Sequence, residues 1–299
     1  MQPSYLQNGD TVAIAAPARK ISEEELMPSV RFLKQAGFNV YYDDRLFAQH
    51  NQFAGDETVR TAYIQELLDN PEIKAVWCAR GGYGSVRIID RLDFSAFVKN
   101  PKWIVGYSDV TVFHSHLNKN YDIATLHATM PINVGDGMMD QPACRTLVSA
   151  LKGEKLCYRL EHHKLNREGD FSAPVVGGNL SMLYSLLGSP SDIDTAGKVL
   201  FIEDLYEYLY HIDRMMSNLE RNGKLSRLAG LLVGHLSDMH DNQIPYGKTA
   251  EEIVSEHCAA YDFPMIFNFP AGHLPDNRAI RMGSELICKC FENEIIIEN

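Results

Sequence analysis

The first half of the chain predicts an α/β fold on a parallel sheet, and the second half predicts a separate domain. Three observations carry this. Short apolar runs alternate with segments of helical periodicity up to about residue 120, a spacing that implies βαβ units. Two of those runs lead directly into glycine- or serine-bearing turns, at Arg80–Gly84 and Gly106–Ser108. The alternation then lapses over a polar stretch and resumes with new apolar runs toward the C-terminus. The expected division is residues 1–165 and 166–299, with a connector at about 135–170.

Each element has a local reason. Val12–Ala15 reads as a buried strand. Ser22 and Glu25 form a capping box ahead of Leu26, Val30 and Leu33, which share a helix face, with Pro28 expected to kink that helix. Gly37 ends it, and Asn39–Tyr42 is a second strand. Asp56 caps a helix carrying Ile64, Leu67 and Leu68, which Asn70-Pro71 stops. Ala75–Cys78 is a third strand, Val86–Leu92 a short helix, Trp103–Val105 a fourth strand and Thr111–Leu117 a helix start. Beyond the connector come a helix at Leu180–Leu187, a strand at Val199–Ile202, a helix at Ile212–Arg221 and a strand at Leu228–Val233. The tail returns to strands at Glu285–Phe291 and Glu294–Ile297.

Composition excludes whole classes of function. The 299 residues are 45% hydrophobic and 22% charged, which is a chain that folds around a core. A net charge of −11 opposes nucleic-acid binding and electrostatic attachment to a membrane. No stretch approaches the ~20 apolar residues of a membrane span, and Thr11–Ala18 lacks the basic leader of a signal peptide. The six cysteines form no C-x-x-C pair and are too few for a disulfide-stapled domain, so a reducing cytoplasm is expected.

The sharpest chemical feature is Trp103–Thr111, where a strand runs through Gly106-Tyr107-Ser108 into a helix. A serine on such a turn exposes its hydroxyl beside free backbone amides that can hold an oxyanion. The match to Gly-x-Ser-x-Gly is partial, with Val110 at the second glycine, and a plain N-cap serine fits the same tripeptide. The second feature is Arg80-Gly81-Gly82-Tyr83-Gly84, which lacks the spacing of a dinucleotide or triphosphate loop but suits an oxyanion or carboxylate. Both turns leave the carboxyl ends of parallel strands, where open α/β sheets place their sites. A serine nucleophile needs a base and an orienting carboxylate. Among eleven histidines, His235 and His273 follow late strands; Glu203 and Asp204 end another, and their alternation points only one of them inward. No metal-ligand motif occurs, His114 and His116 lying two apart on a helix, and no cofactor is implied.

Taken in order, Ile73–Arg87, Pro101–Thr111, Gly177–Leu183, Leu200–Arg214 and Gly272-His273 resemble the LD-carboxypeptidase family, serine peptidases of the murein tetrapeptidase and microcin-immunity type. The resemblance implies Ser108 as nucleophile, Glu203 as the acid that orients the base, and His273 as the base. It implies an oxyanion hole from the backbone of Gly82 and Asp109. It also implies a β-rich C-terminal domain supplying acid and base, a site between the domains, a homodimer, and a small muropeptide as substrate. Where the family commonly has His-Gly-Pro-Met, this chain has His127-Ala128-Thr129-Met130, so a different loop backbone is expected there. Arg80 is the expected partner of a substrate carboxylate, in a small positive pocket on an acidic surface. Two other readings stay open: the same triad acting on peptidyl or aminoacyl nucleotide antibiotics, with Tyr206, Tyr208 and Tyr210 available for stacking, and a non-catalytic small-ligand binding protein.

Overall fold

The computed structural model describes all of residues 1–299. Its first half runs β1 (Thr11–Ala15), α1 (Glu23–Gln35), β2 (Asn39–Tyr41), α2 (Glu57–Asp69), β3 (Ile73–Cys78), α3 (Ser95–Lys99), β4 (Trp103–Gly106), α4 (Thr111–Tyr121) and β5 (Thr125–His127). Then come α5 (Pro142–Leu151) and β6 (Cys157–Leu160). The remainder is β7 (Phe171–Asn179), α6 (Leu180–Leu186), β8 (Val199–Leu205), α7 (Leu209–Arg221), β9 (Gly230–Ser237), α8 (Ala250–His257), β10 (Met265–Ile266), β11 (Ile280–Met282), β12 (Glu285–Cys290) and β13 (Ile295–Glu298).

Two sheets result. The first has the order β11-β5-β4-β3-β1-β2, parallel except for β11, which pairs antiparallel with β5. The second has the order β10-β9-β8-β7-β12-β13-β6, parallel from β10 to β7 and antiparallel beyond. The central strands β1, β3 and β4 are buried almost throughout, as sheets covered on both faces require. The two halves are interlaced: β6 joins the second sheet and β11 the first. One continuous core extends from Val12 and Val105 to Val175, Leu286 and Ile297.

The caps read from sequence are present. Ser22 and Glu25 close a reciprocal box on α1, which continues through Pro28 to Gln35, and the Asp56 carboxylate accepts from the Val59 amide. Two expectations are corrected. Val86–Leu92 is not one helix but two single 3-10 turns, Ser85–Arg87 and Ile89–Arg91, interrupted at Ile88 with φ −120°. The stretch read as connector contains α5, whose Ala143, Cys144, Leu147, Ala150 and Leu151 form a buried face, and β6. Gly177-Gly178-Asn179, ahead of α6, ends the nine-residue strand β7.

That glycine pair sets how closely β7 approaches its neighbour β8 and the start of α4. A β-carbon on Gly177 would collide with the Phe201 carbonyl oxygen, and one on Gly178 would lie 2.5 Å from Thr111 Oγ1 at the start of α4. Thr111 Oγ1 instead accepts from the Asn179 amide at 3.0 Å, tying β7 to the helix that follows Ser108. Gly177 also has φ +120°, outside the range of L side chains. Gly177→Ala is therefore expected to lower unfolding free energy by about 2–5 kcal/mol. Urea denaturation measures it, and an unchanged midpoint would contradict the close packing described.

Candidate active site

Ser108 sits on a sharp turn between β4 and α4. Its backbone has φ +62°, the left-handed region that a non-glycine residue occupies only at a cost of about 1–2 kcal/mol. Ser108 is not an N-cap: Tyr107 and Val110 precede the 3-10 turn and α4, and neither end has a side-chain cap. The strain instead lifts the hydroxyl into a cavity. Gly106 is needed below it, since a β-carbon there would come 2.8 Å from Val110 Cγ2. His114 buttresses the turn, Nε2 to the Gly106 carbonyl at 2.9 Å and Nδ1 to Thr125 Oγ1 at 2.8 Å. Burial pushes its pKa down to about 4, so it stays neutral.

The glycine loop after β3 faces this turn. A β-carbon on Gly81 would lie 3.0 Å from Ser108 Cβ and 3.1 Å from Oγ, so glycine leaves the loop backbone close beside the hydroxyl without crowding it. Asp109 fastens loop to turn. Its fully buried carboxylate accepts from the Ser85 amide at 2.8 Å. Burial raises its pKa, and the Ser85 and Gly84 amides oppose the rise. Arg60, also buried, donates to the Gly84 and Pro17 carbonyls and holds the loop's far end. The Asp109 and Gly82 amides are not consumed in any turn or cap hydrogen bond.

The second sheet brings a carboxylate and an imidazole to the same place. Glu203, fully buried near the end of β8, accepts from His273 Nδ1, with Oε2 2.7 Å away. Gly272 permits this contact, because a β-carbon there would lie 3.0 Å from Glu203 Cβ and Oε2. Burial lowers the imidazole pKa, but the Glu203 charge and hydrogen bond outweigh it, leaving His273 above the usual histidine value. The Tyr107 ring meets His273 edge-on at 4.8 Å and anchors its hydroxyl on Asn133. Asp204 points the other way, accepting from Asn179 Nδ2 and the Ser181 amide at the start of α6. Burial, with the neighbouring Glu203 charge, raises its pKa to about 7. The His235 amide donates to the Ala271 carbonyl, and its side chain makes no ion pair with either acid.

Ser108 and His273 line one cavity of about 410 Å³ with Arg80, Gly81, Gly82 and Tyr107. They make no direct hydrogen bond in this structure. Arg19 and Arg80 line it too, and no acidic side chain does, so a locally positive hollow lies on a chain of net charge −11. Arg80 Nη1 is 3.5 Å from Glu25 Oε1, while Arg19 has no ion-pair partner and packs against Gly82. Arg19 escaped the sequence reading. Its signal was position alone: it leaves the carboxyl end of β1 as Arg80 leaves that of β3. In the His127–Met130 segment, Ala128 donates to the Gly106 carbonyl, Thr129 accepts from the Trp77 indole, and Met130 lines the cavity. No group of three metal-ligating side chains occurs, and no helix is long and apolar enough to cross a membrane.

Residues 12–128 match the LD-carboxypeptidase N-terminal domain, and residues 172–287 match the LD-carboxypeptidase C-terminal domain. The chain belongs to the LD-carboxypeptidase family. A Bacillus subtilis relative named as a probable murein peptide carboxypeptidase is 35% identical, covering 99% of this chain and 94% of its own length. The murein tetrapeptide carboxypeptidase of Pseudomonas aeruginosa is 27% identical, covering 92% of each chain. Among solved structures, the muramoyltetrapeptide carboxypeptidase of Oxalobacter formigenes superimposes with a TM-score of 0.88. That match is 27% identical and covers 96% of this chain and 98% of the other. This LD-carboxypeptidase chain thus has the mixed α/β architecture of its family over nearly its full length.

Proposed function

We propose that the protein is a serine LD-carboxypeptidase that removes the terminal D-amino acid, D-alanine, from murein tetrapeptide. One observation carries the reading: a strained serine and a carboxylate-bound imidazole, from different sheets, face one cavity that holds two guanidiniums and no carboxylate. In this reading the first domain supplies the nucleophile, and the second, from about residue 166, supplies acid and base.

Ser108 Oγ attacks the carbonyl carbon of the scissile amide as its proton passes to His273 Nε2. Glu203 fixes the imidazole through Nδ1 and stabilises the imidazolium. The oxyanion is held by the amides of Asp109 and Gly82. The C–N bond then breaks as His273 returns the proton to the departing D-alanine nitrogen. Water, deprotonated by the same imidazole, hydrolyses the acyl-serine. The Ser108–His273 hydrogen bond is one that bound substrate tightens. All six cysteines are free thiols, which fits the reducing cytoplasm this reading assigns.

Incubation with murein tetrapeptide followed by mass analysis tests the reading: the expected products are the tripeptide and free D-alanine. An intact tetrapeptide after prolonged incubation with folded protein would sink it. Arg80 is assigned to the substrate's terminal carboxylate. Arg80→Ala is expected to raise KM by about tenfold or more, the worth of a charge-assisted hydrogen bond, with a smaller change in kcat. Unchanged KM would remove Arg80 from the site.

A further inference from the structure

One surface beside the cavity is not used by this chemistry. Eight large hydrophobic side chains are exposed on the whole molecule, and three of them fall in the five residues Tyr206–Tyr210. Tyr206 is 62% exposed, Tyr208 42% and Tyr210 40%. With His240 they form one continuous row. The Tyr206 ring stacks on His240 at 5.8 Å and 15°, Tyr208 lies 5.5 Å from His240, and Tyr210 lies 5.6 Å from Tyr208.

The row is rigid because backbone hydrogen bonds hold it. The Tyr206 amide donates to Ser237, His240 to Glu207 and Leu209 to His240, which continues the β8–β9 pairing past the strand ends. Tyr206 adopts φ +58° within this ladder, so a non-glycine residue is strained to present an exposed ring. Exposed contiguous aromatic surface of this kind marks a binding site more often than chance packing.

Its position says what it binds. Tyr206 also lines the cavity that contains Ser108 and His273, so the row is a continuation of that cavity. Glu203, at the chemistry, precedes Tyr206 by three residues and Tyr208 by five. The chain therefore places Tyr206 at most about 11 Å and Tyr208 at most about 18 Å from Glu203. The two arginines come from loops of the first sheet, and the row comes from the second sheet. Arg80 and Tyr206 line the same cavity, so a peptide whose terminal carboxylate meets Arg80 has the row within reach of its other end. Three residues of extended peptide span about 10 Å. What a murein tetrapeptide carries at that distance is the sugar on its amino end. A pyranose ring presents a face of C–H bonds, which packs on the electron-rich face of an aromatic ring while its hydroxyls meet tyrosine hydroxyls and solvent.

We propose that Tyr206, Tyr208 and His240 form a sugar-binding subsite that seats the saccharide of a glycan-linked muropeptide. This rests on the murein-peptide reading above, and the test separates the two. The first measurement compares tetrapeptide bearing its N-acetylglucosaminyl-N-acetylmuramyl disaccharide with the same tetrapeptide lacking sugar. Wild-type protein is expected to show a KM about tenfold lower for the sugar-bearing form. Tyr208→Ala is expected to cut that preference to within twofold, with the loss in KM and not in kcat, and Tyr208→Trp is expected to restore it. Equal KM for the two substrates in wild type, or a preference that survives Tyr208→Ala, overturns the proposal. Calorimetric binding of both compounds to Ser108→Ala protein removes dependence on turnover. Preferential binding of the sugar-bearing form without turnover in wild type sinks the hydrolase reading and keeps the subsite; equal binding with turnover does the reverse. If Tyr208→Ala instead halves the particle mass in sedimentation, the row is a subunit interface and the proposal falls.

Discussion

Ser108→Ala is expected to lower kcat for D-alanine release by about 10⁴- to 10⁶-fold, the range seen when the nucleophile of a serine triad is removed. The loss should be chemical and not structural. Ser108 Oγ supports no hydrogen bond in the resting structure, and alanine meets the same backbone strain at φ +62° as serine does. Urea midpoints of the two proteins should therefore coincide within the ~0.5 kcal/mol typical of neutral substitutions. Ser108→Gly provides the internal control. It also lacks the hydroxyl, but relieves the left-handed strain and is expected to be equally inactive and more stable by up to about 1 kcal/mol. The measurement is a stopped-time assay of released D-alanine with tetrapeptide in excess. Retention of even a hundredth of the wild-type rate in Ser108→Ala would assign the nucleophile elsewhere.

The parts of this site visible in the sequence are those whose physics is local. The run Trp103–Val105 leading through Gly106 into Ser108 specifies a strand, a tight turn and a helix within nine residues, and the structure has all three. Ser22 and Asp56 announce their helices because a cap is a contact over three residues. Glycines are visible as letters, but their reasons are not. Gly272 is required by Glu203, distant in the chain, and Gly178 by Thr111, equally distant. The same limit hid β11. Its three residues have too little pattern to register as a strand, and they become one only by pairing with Thr125–His127. Helix α5 is legible in principle, since Ala143, Leu147, Ala150 and Leu151 have helical spacing, but Gly135–Gly137 before it and the polar run after it carry the signature of a connector. Asp109 shows the gap most clearly. Its backbone amide follows from the serine turn, whereas its carboxylate's work of tying the glycine loop needs Ser85 in space.

Glu203→Gln tests the other half of the site, and its decisive readout is a direction on the pH axis. In the wild type, burial lowers the His273 pKa while the Glu203 carboxylate, by charge and by hydrogen bond, raises it further than burial lowers it. A general base acts when neutral, so kcat/KM should rise with pH through the pKa of His273, which lies above the usual ~6.5 of histidine. Glutamine keeps the shape at 2.7 Å from Nδ1 but removes the charge. Burial is then left largely unopposed, and the ascending limb should move to lower pH. The plateau should fall by about 10³- to 10⁴-fold, because neither imidazolium nor tautomer is supported. Stability must follow the same sign. A raised histidine pKa contributes stability that is present below the unfolded value and lost as pH rises through the folded one. The variant loses that contribution, so its deficit against wild type should grow as pH falls from 8 to 5. A limb that shifts upward, or a deficit that shrinks on acidification, would show that Glu203 does not act on His273 through its charge.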